Sequence, residues 1–321
     1  MDKEILISVD HLTRYYNDYC AVNDASFTVG RGEVLGFLGP NGAGKTTTMQ
    51  ILSGVLAPTA GTVAIAGINL QDQPGKAKAH LGYLPEQPPL YLDLTVDEYL
   101  RYAARLRGIP RNLITTAIRQ CRERCGLETV GRRLIKNLSR GYQQRVGIAQ
   151  AIIHSPAVVI LDEPTSGLDP IQILEIRKLI KTLGKDHSVI LSTHILPEVQ
   201  SLCSRVLIIN EGKLVLDRGL DQLQENRPYT TVQVAFRQPP PAETLQSIPG
   251  INSVVPIDPH RFRVDLDAGN TGMDSLLQHT LSSGWGITEM IPGTDSLEQV
   301  FVQLTSGTTK PGHGHPEDMD E

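Results

Sequence analysis

The run GFLGPNGAGKTTTMQIL, Gly36 to Leu52, constrains the fold of this chain more than any other stretch. Gly39, Gly42 and Gly44, then Lys45 and three threonines, stand between an apolar run and a helix-forming one. Gly39-Pro40-Asn41-Gly42-Ala43-Gly44-Lys45-Thr46 fits G-x-x-x-x-G-K-[ST]. Glycines let the backbone wrap tightly and turn N–H groups inward, which makes a nest for an anion. The helix that follows adds the positive end of its dipole. Lys45 can reach terminal phosphates, and the Thr46 hydroxyl can ligate Mg²⁺. The alternative is a glycine turn that only links strand to helix. A strand before the motif and a helix after it favour the phosphate site.

Both flanks read that way. GEVLGFLG is a strand, and KTTTMQILSGVL is a helix with Met49, Leu52 and Val55/Leu56 on one face. Residues 5–9 and 26–29 read as short strands, and GTVAIAG as another. Thr95-Val-Asp-Glu98 is a capping box that opens a helix with Tyr99, Tyr102/Ala103 and Leu106 inward. Gly108-Ile-Pro110 ends it, and a second helix covers about 111–125. AVVILD (157–162), SVILST and RVLIIN show almost no alternation, as strands covered on both faces do. Helices such as 170–183 fall between them, so this part of the chain reads as α/β with a parallel sheet.

The pattern changes near 219–229. TTVQVAF alternates with period two, and Pro239-Pro-Pro241 breaks the chain. A short helix, strands near 251–257 and 261–266, a helix near 272–283 and a strand near 286–291 follow. A final helix would turn Leu297, Val300, Phe301 and Leu304 inward. This is a small α+β unit of about 80 residues, roughly the minimum for an independent domain. Residues 306–321 are polar and rich in Gly and Pro, and read as a disordered tail.

A metal-bound phosphate calls for a carboxylate at a neighbouring strand end. Asp162 ends the apolar strand AVVILD, and Glu163 follows it. Two adjacent carboxylates there suggest divided labour: one tunes the metal, one orients or deprotonates water. His194 stands just past SVILST, at the edge of the sheet where ligands bind, and could sense a γ-phosphate.

Charge and composition exclude several classes. The formal net charge is -5, with Glu317, Asp318, Asp320 and Glu321 against Lys310 in the tail, so nucleic acid and anionic lipid are not attracted in bulk. No apolar run approaches the roughly 20 residues of a membrane span. MDKEILISVD lacks the apolar block of a signal peptide, so a cytoplasmic chain is expected, able to dock on a membrane protein. Cys121 and Cys125 share a helical stripe with Ile114, Ala117 and Ile118, which favours packing over metal binding.

The segment Leu138-Ser-Arg-Gly-Tyr-Gln-Gln-Arg145, with Leu161-Asp-Glu-Pro-Thr-Ser-Gly-Leu-Asp169 and His194, resembles the nucleotide-binding subunits of ABC transporters. The likeness covers residues 1 to about 225. GYLPEQPPLYLDLTVDEYL, LSRGYQQR and the appended C-terminal unit resemble the ABC-2 export group, including the gliding-motility-associated ATPases. The resemblance implies an α/β phosphate-loop NTPase (ABC ATPase) core over 1–225, with a helical subdomain at about 88–150. The small α+β domain would occupy 226–305 and the tail 306–321.

The same resemblance implies the site. Tyr16 would stack on adenine, with Tyr15 the weaker choice. Residues 39–46 would hold the phosphates, and Thr47 would touch the α-phosphate. Thr46, Asp162 and Glu86 would serve Mg²⁺, Glu163 would be the catalytic base and His194 the γ-phosphate switch. Asp169 would lie at a dimer seam. Ser139 and Gly141 would complete the site on the other protomer. Their segment also reads that way physically: a serine hydroxyl and free N–H groups at a helix start face an anion, although ordinary capping fits equally. The cofactors implied are ATP and Mg²⁺. The partners implied are a separate integral membrane permease and a second copy of the chain, with no nucleic acid, so that the protein sits on the cytoplasmic face of the membrane. Two positions depart from the family pattern. Arg140 and Tyr142 replace glycine and glutamine in the signature, and Glu86 stands where a glutamine is usual, beside Gln87. A soluble ABC-type ATPase acting on ribosomes or DNA is the competing expectation. Only one cassette is present, and no long coiled coil fits between Glu86 and Leu138.

Overall fold

The computed structural model describes residues 4–221, 231–267, 271–293, 301, 302 and 304. The chain divides into two compact units, Met1–Leu220 and Asp221–Glu321. The expected boundary at 225, the residues Leu297 and Val300 of the expected final helix, and the tail lie outside the described residues.

In the first unit β1 (Ile5–Tyr16) and β2 (Tyr19–Gly30) form a long antiparallel hairpin, joined on one side by β4 (Ala60–Ile65) and then β5 (Ile68–Asn69). Both hairpin strands run far beyond the short segments expected. Their central polar residues break the apolar pattern but not the pairing, which absorbs several register shifts. The second sheet has the order β10-β9-β3-β8-β7-β6. It contains β3 (Val34–Leu38), β6 (Leu81–Leu84), β7 (Val158–Asp162), β8 (Ser188–Thr193) and β9 (Arg205–Asn210), all parallel, and β10 (Lys213–Gly219) antiparallel at one edge.

The lack of alternation in these strands has a direct cause. Val158, Ile160 and Ile190 enter a core shared with the hairpin sheet and with α1 (Lys45–Leu52). Val159, Leu161, Val189 and Leu191 enter a second core shared with α3 (Val96–Leu106), α4 (Arg111–Cys125), α5 (Arg140–Ile152) and α6 (Pro170–Leu183). Each fully buried aliphatic side chain contributes about 2 kcal/mol, which favours apolar residues on both faces in the middle of β7 and β8 and leaves buried polar ones to their ends. A short α2 (Pro74–Ala79) precedes β6, and α7 (Leu196–Leu202) follows β8.

The capping box of α3 forms as expected: Thr95 Oγ1 accepts from Glu98 N, and Glu98 Oε2 accepts from Thr95 N at 2.8 Å. Of the alternatives Val55/Leu56, Val55 lies beyond the end of α1 and is exposed, whereas Leu56 packs against the core shared with the hairpin sheet. One inward assignment fails: Leu106, in the last turn of α3, is 69% exposed. Helix periodicity carried it past the point where packing stops. Cys121 and Cys125 are buried, and Cys121 Sγ donates to Ala149 O at 3.1 Å. Among the described residues no group of His, Cys, Asp and Glu forms a metal cluster.

His154 follows α5. Its Nε2 donates to Leu81 O at 3.2 Å, while Nδ1 is buried without a partner. Burial, with help from the Arg107 charge, pushes its pKa down to about 4 from the ordinary 6.5. The unfolded chain therefore takes up a proton below about 6.5 that the folded chain refuses, and stability falls as pH drops through this window. Replacing His154 by Gln should flatten that decline by up to about 1.4 kcal/mol per pH unit. Urea midpoints at pH 7 and pH 5 measure it, and identical slopes would show that the ring is not held neutral.

The second unit is built from β11 (Thr231–Phe236), α8 (Ala242–Gln246), β12 (Ile251–Asp258), β13 (Arg261–Leu266), α9 (Thr271–Ser283) and β14 (Ile287–Gly293). Its antiparallel sheet has the order β12-β13-β11-β14, a split β-α-β arrangement. Val232, Val234, Phe236, Phe262 and Val264 face its core.

Candidate active site

The site lies where β3, β7 and β8 end side by side. Leu38 pairs with Thr193, and Asp162 with Ser192, so three strand-end loops converge although their residues are far apart in sequence. The loop after β3 is tight. Gly44 takes φ 105°, and a Cβ there would collide with the Ala21 carbonyl oxygen. A Cβ on Gly39 would strike the carbonyl of Ile209 on β9. Glycine is thus required at both positions, and α1 starts at Lys45 with its first N–H groups unsatisfied by the helix.

Lys45 is buried, and its ammonium donates to Gly39 O at 2.9 Å and Pro40 O at 3.1 Å. It also lies 3.5 Å from Glu163 Oε1. The other oxygen, Glu163 Oε2, is 2.8 Å from His194 Nδ1. A carboxylate only accepts, so Nδ1 carries the proton in this contact and Nε2 is the free ring nitrogen. Glu163 is thus held between a lysine and a histidine. Its own backbone is strained, with φ 47°, a region that costs an L residue on the order of 1 kcal/mol. Strain of this kind is found clustered at active sites and ligand clamps.

Asp162 is completely buried, and neither Oδ1 nor Oδ2 has a hydrogen-bond partner. Burial pushes its pKa up. The nearby Ser192 and Thr46 hydroxyls oppose this without reaching hydrogen-bonding geometry, and the charges of Glu163 and Glu86 add to the rise. Two orphaned carboxylate oxygens beside a threonine hydroxyl and a second carboxylate form an all-oxygen donor set. That set suits Mg²⁺, which takes one or two protein carboxylates and fills its remaining positions with water and phosphate oxygens.

A cleft of about 500 Å³ gathers most of the expected residues: Tyr16, Asn41, Gly42, Gly44, Lys45, Thr46, Thr47, Glu86, Glu163 and His194. Gly39, Pro40 and Ala43 belong to the same loop but not to this lining. Tyr15 is also outside it and exposed. Three lining residues escaped the sequence reading, Tyr19, Ala21 and Ser166. Tyr19 faces Tyr16 across the tip of the β1–β2 hairpin, and its hydroxyl donates to Gly42 O at 3.3 Å. The intervening Asn17-Asp18, with Asn17 at φ 49°, is a hairpin signal that could have revealed it. The Arg14 guanidinium lies 4.9 Å from the Tyr16 ring centre.

Ser139 and Gly141 do not line this cleft. Ser139 is exposed and caps α5, accepting from Tyr142 N at 3.4 Å. The two unusual signature residues are absorbed locally. Arg140 lies against Gly167, where a Cβ would approach its guanidinium within 2.5 Å, and Tyr142 lies beneath the Arg145 guanidinium at 5.6 Å. Asp169 caps α6, with its Oδ1 accepting from Gln172 N at 2.9 Å.

Known proteins share this architecture. Residues 22–166 match the ABC transporter family model. An ABC transporter ATP-binding protein of Bacillus subtilis, YxlF, is 32% identical over 93% of this chain and 99% of its own length. The bacitracin transport ATP-binding protein BcrA of Bacillus licheniformis is 34% identical over 95% of this chain and 98% of its own. A solved ATP-binding subunit of an ABC transporter superposes with TM-score 0.62 at 32% identity, covering 68% of this chain and 92% of that one. Sequence likeness along almost the whole chain, joined to the phosphate loop and the convergent strand ends, makes this protein a member of the ABC transporter family of ATP-binding proteins, with an ABC ATPase domain.

Proposed function

We propose that the chain is the ATPase subunit of an ABC-2-type exporter, akin to the gliding-motility-associated group, and that it drives a separate permease from the cytoplasmic face of the membrane. The observation that carries the reading is Glu163 pinned between Lys45 and His194 at the mouth of the phosphate loop. Among the described residues no helix is long and apolar enough to cross a membrane, which is consistent with a separate membrane partner. The likeness to a bacitracin transport ATP-binding protein supports a transport role.

In this reading Tyr16 stacks on adenine, residues 39–46 cradle the phosphates and Thr47 meets the α-phosphate. Thr46, Glu86 and, through water, Asp162 would hold Mg²⁺, which when bound neutralises charge on the transferred phosphoryl group. Lys45 leaves the carbonyls of Gly39 and Pro40 for the terminal phosphates. Glu163 orients the attacking water, and His194 contacts the γ-phosphate. Ser139 and Gly141 lie away from their own cleft, so they serve a second protomer: two chains pair head to tail, each α5 start closing the other's ATP. The γ-phosphate holds the pair shut, and its loss opens it. The stretch YLDLTVDEYL, 91–100, with its exposed Tyr91 and Leu92, is the proposed permease contact. In this reading an ATP-binding domain spans 1–225 and a C-terminal α+β domain spans 226–305. No nucleic acid takes part.

Mixing two dead variants tests the shared site. Lys45→Ala keeps an intact Ser139, and Ser139→Glu keeps an intact phosphate loop. Each alone should be inactive. Mixed, they should recover on the order of a quarter of the wild-type rate, because random pairing makes half the dimers mixed, each with one intact site. No recovery from two folded variants would refute the head-to-tail arrangement.

A further inference from the structure

Glu198, on α7, is fully buried, and nothing in the phosphate chemistry above accounts for it. A carboxylate taken out of water is costly unless it is paired and hydrogen-bonded. Here it is both. Its Oε2 accepts from Thr193 Oγ1 at 2.9 Å, and its Oε1 lies 3.4 Å from Arg177 Nη2.

The partners give the burial a purpose. Thr193 is the last residue of β8 and is itself completely buried. Its hydroxyl donates to Glu198 and accepts from Ile195 N at 3.0 Å. The residues on either side of His194 are thus tied to one hydroxyl, and Glu198 orients that hydroxyl. Arg177 belongs to α6, the helix that opens at Asp169 directly after the loop bearing Glu163. One buried carboxylate therefore joins the loop that carries His194 to the helix that follows Glu163. At the far side of this clamp the two functional side chains meet at 2.8 Å.

We propose that Glu198 is a positioning residue for ATP turnover: through Thr193 and Arg177 it fixes His194 against Glu163 at the γ-phosphate position. The inference rests on the roles proposed for those two residues. Glu198 touches neither nucleotide nor water. Its effect falls on the chemical step and not on ATP capture, because Lys45 and the phosphate loop stand outside the clamp.

The test uses the full chain, with kcat, KM for ATP, equilibrium ATP binding and the thermal midpoint measured for each variant. Glu198→Gln keeps the shape and can still accept from Thr193, but it loses the charge that Arg177 pairs with. Thr193→Val removes the hydroxyl at nearly constant volume, Thr193→Ser restores it, and His194→Ala is the reference. Glu198→Gln and Thr193→Val should each lower kcat about 10- to 100-fold. ATP affinity should move less than about threefold in both, and Thr193→Ser should stay within about threefold of wild type in kcat. Near-wild-type kcat in folded Glu198→Gln, alongside a dead His194→Ala, overturns the clamp and leaves the histidine's role intact. Parallel losses of kcat, ATP affinity and thermal midpoint also overturn it, since they mark a general loosening of the fold. Normal turnover in His194→Ala removes the histidine's assigned role first, and the clamp with it.

Discussion

Glu163→Gln should bind ATP at least as well as the wild type and hydrolyse it about 10³-fold more slowly, a loss of roughly 4 kcal/mol of transition-state stabilisation. Gln keeps the length and volume of the side chain and tolerates the same φ of 47°, so the loop should stay in place. It can still accept from His194 Nδ1. It cannot take or steer a proton from water at neutral pH. Removing a negative charge next to the phosphates also lessens repulsion of the nucleotide. Hydrolysis is the event proposed to open the dimer, so this variant with ATP should elute as a dimer, whereas the wild type turns over and redistributes. Rapid-quench hydrolysis and size exclusion with ATP measure the two effects. Normal turnover would remove Glu163 from the chemistry. A slow variant that stays monomeric with saturating ATP would separate the chemistry from the dimer.

Lys45→Ala should lose ATP binding by about 10²-fold or more, since a hydrogen bond from a charged donor to phosphate contributes roughly 1.5–3 kcal/mol and Lys45 can offer more than one. The structure adds a second consequence. Lys45 is the cation beside Glu163 Oε1, so its removal leaves that buried carboxylate with His194 alone. The variant should therefore be somewhat less stable without nucleotide and gain little stability on adding ATP, because ligand stabilisation follows the logarithm of ligand concentration over Kd. Calorimetric titration and thermal shift with ATP report both. Undiminished affinity would mean that the phosphates lie elsewhere.

Much of this candidate site is legible in the sequence. The glycine turn, the Asp162-Glu163 pair and His194 each sit at the end of an apolar run, and each motif needs only its own few residues to be recognised. The C-terminal strands and helices from 231 to 293 were equally readable, because alternation of period two and breaks at proline are local signals. Two kinds of feature were not. Leu106 continued a helical stripe in sequence, yet the packing of its helix stops before it. Tyr19 was hidden because the hairpin was read as two short strands, so its tip had no place in the site.

The sequence alone determined which residues are candidates for phosphate chemistry and which strand ends carry them, because backbone preference and apolar periodicity act over a few neighbouring residues. Tertiary structure alone decided that β3, β8 and β7 lie in that order, since crossovers set the order and any spacing of the strands in sequence would permit others. From that order come the contacts of Glu163 with Lys45 and His194. The burial of Glu198 came the same way: a carboxylate in a helix reads as a surface residue until two packed elements close over it.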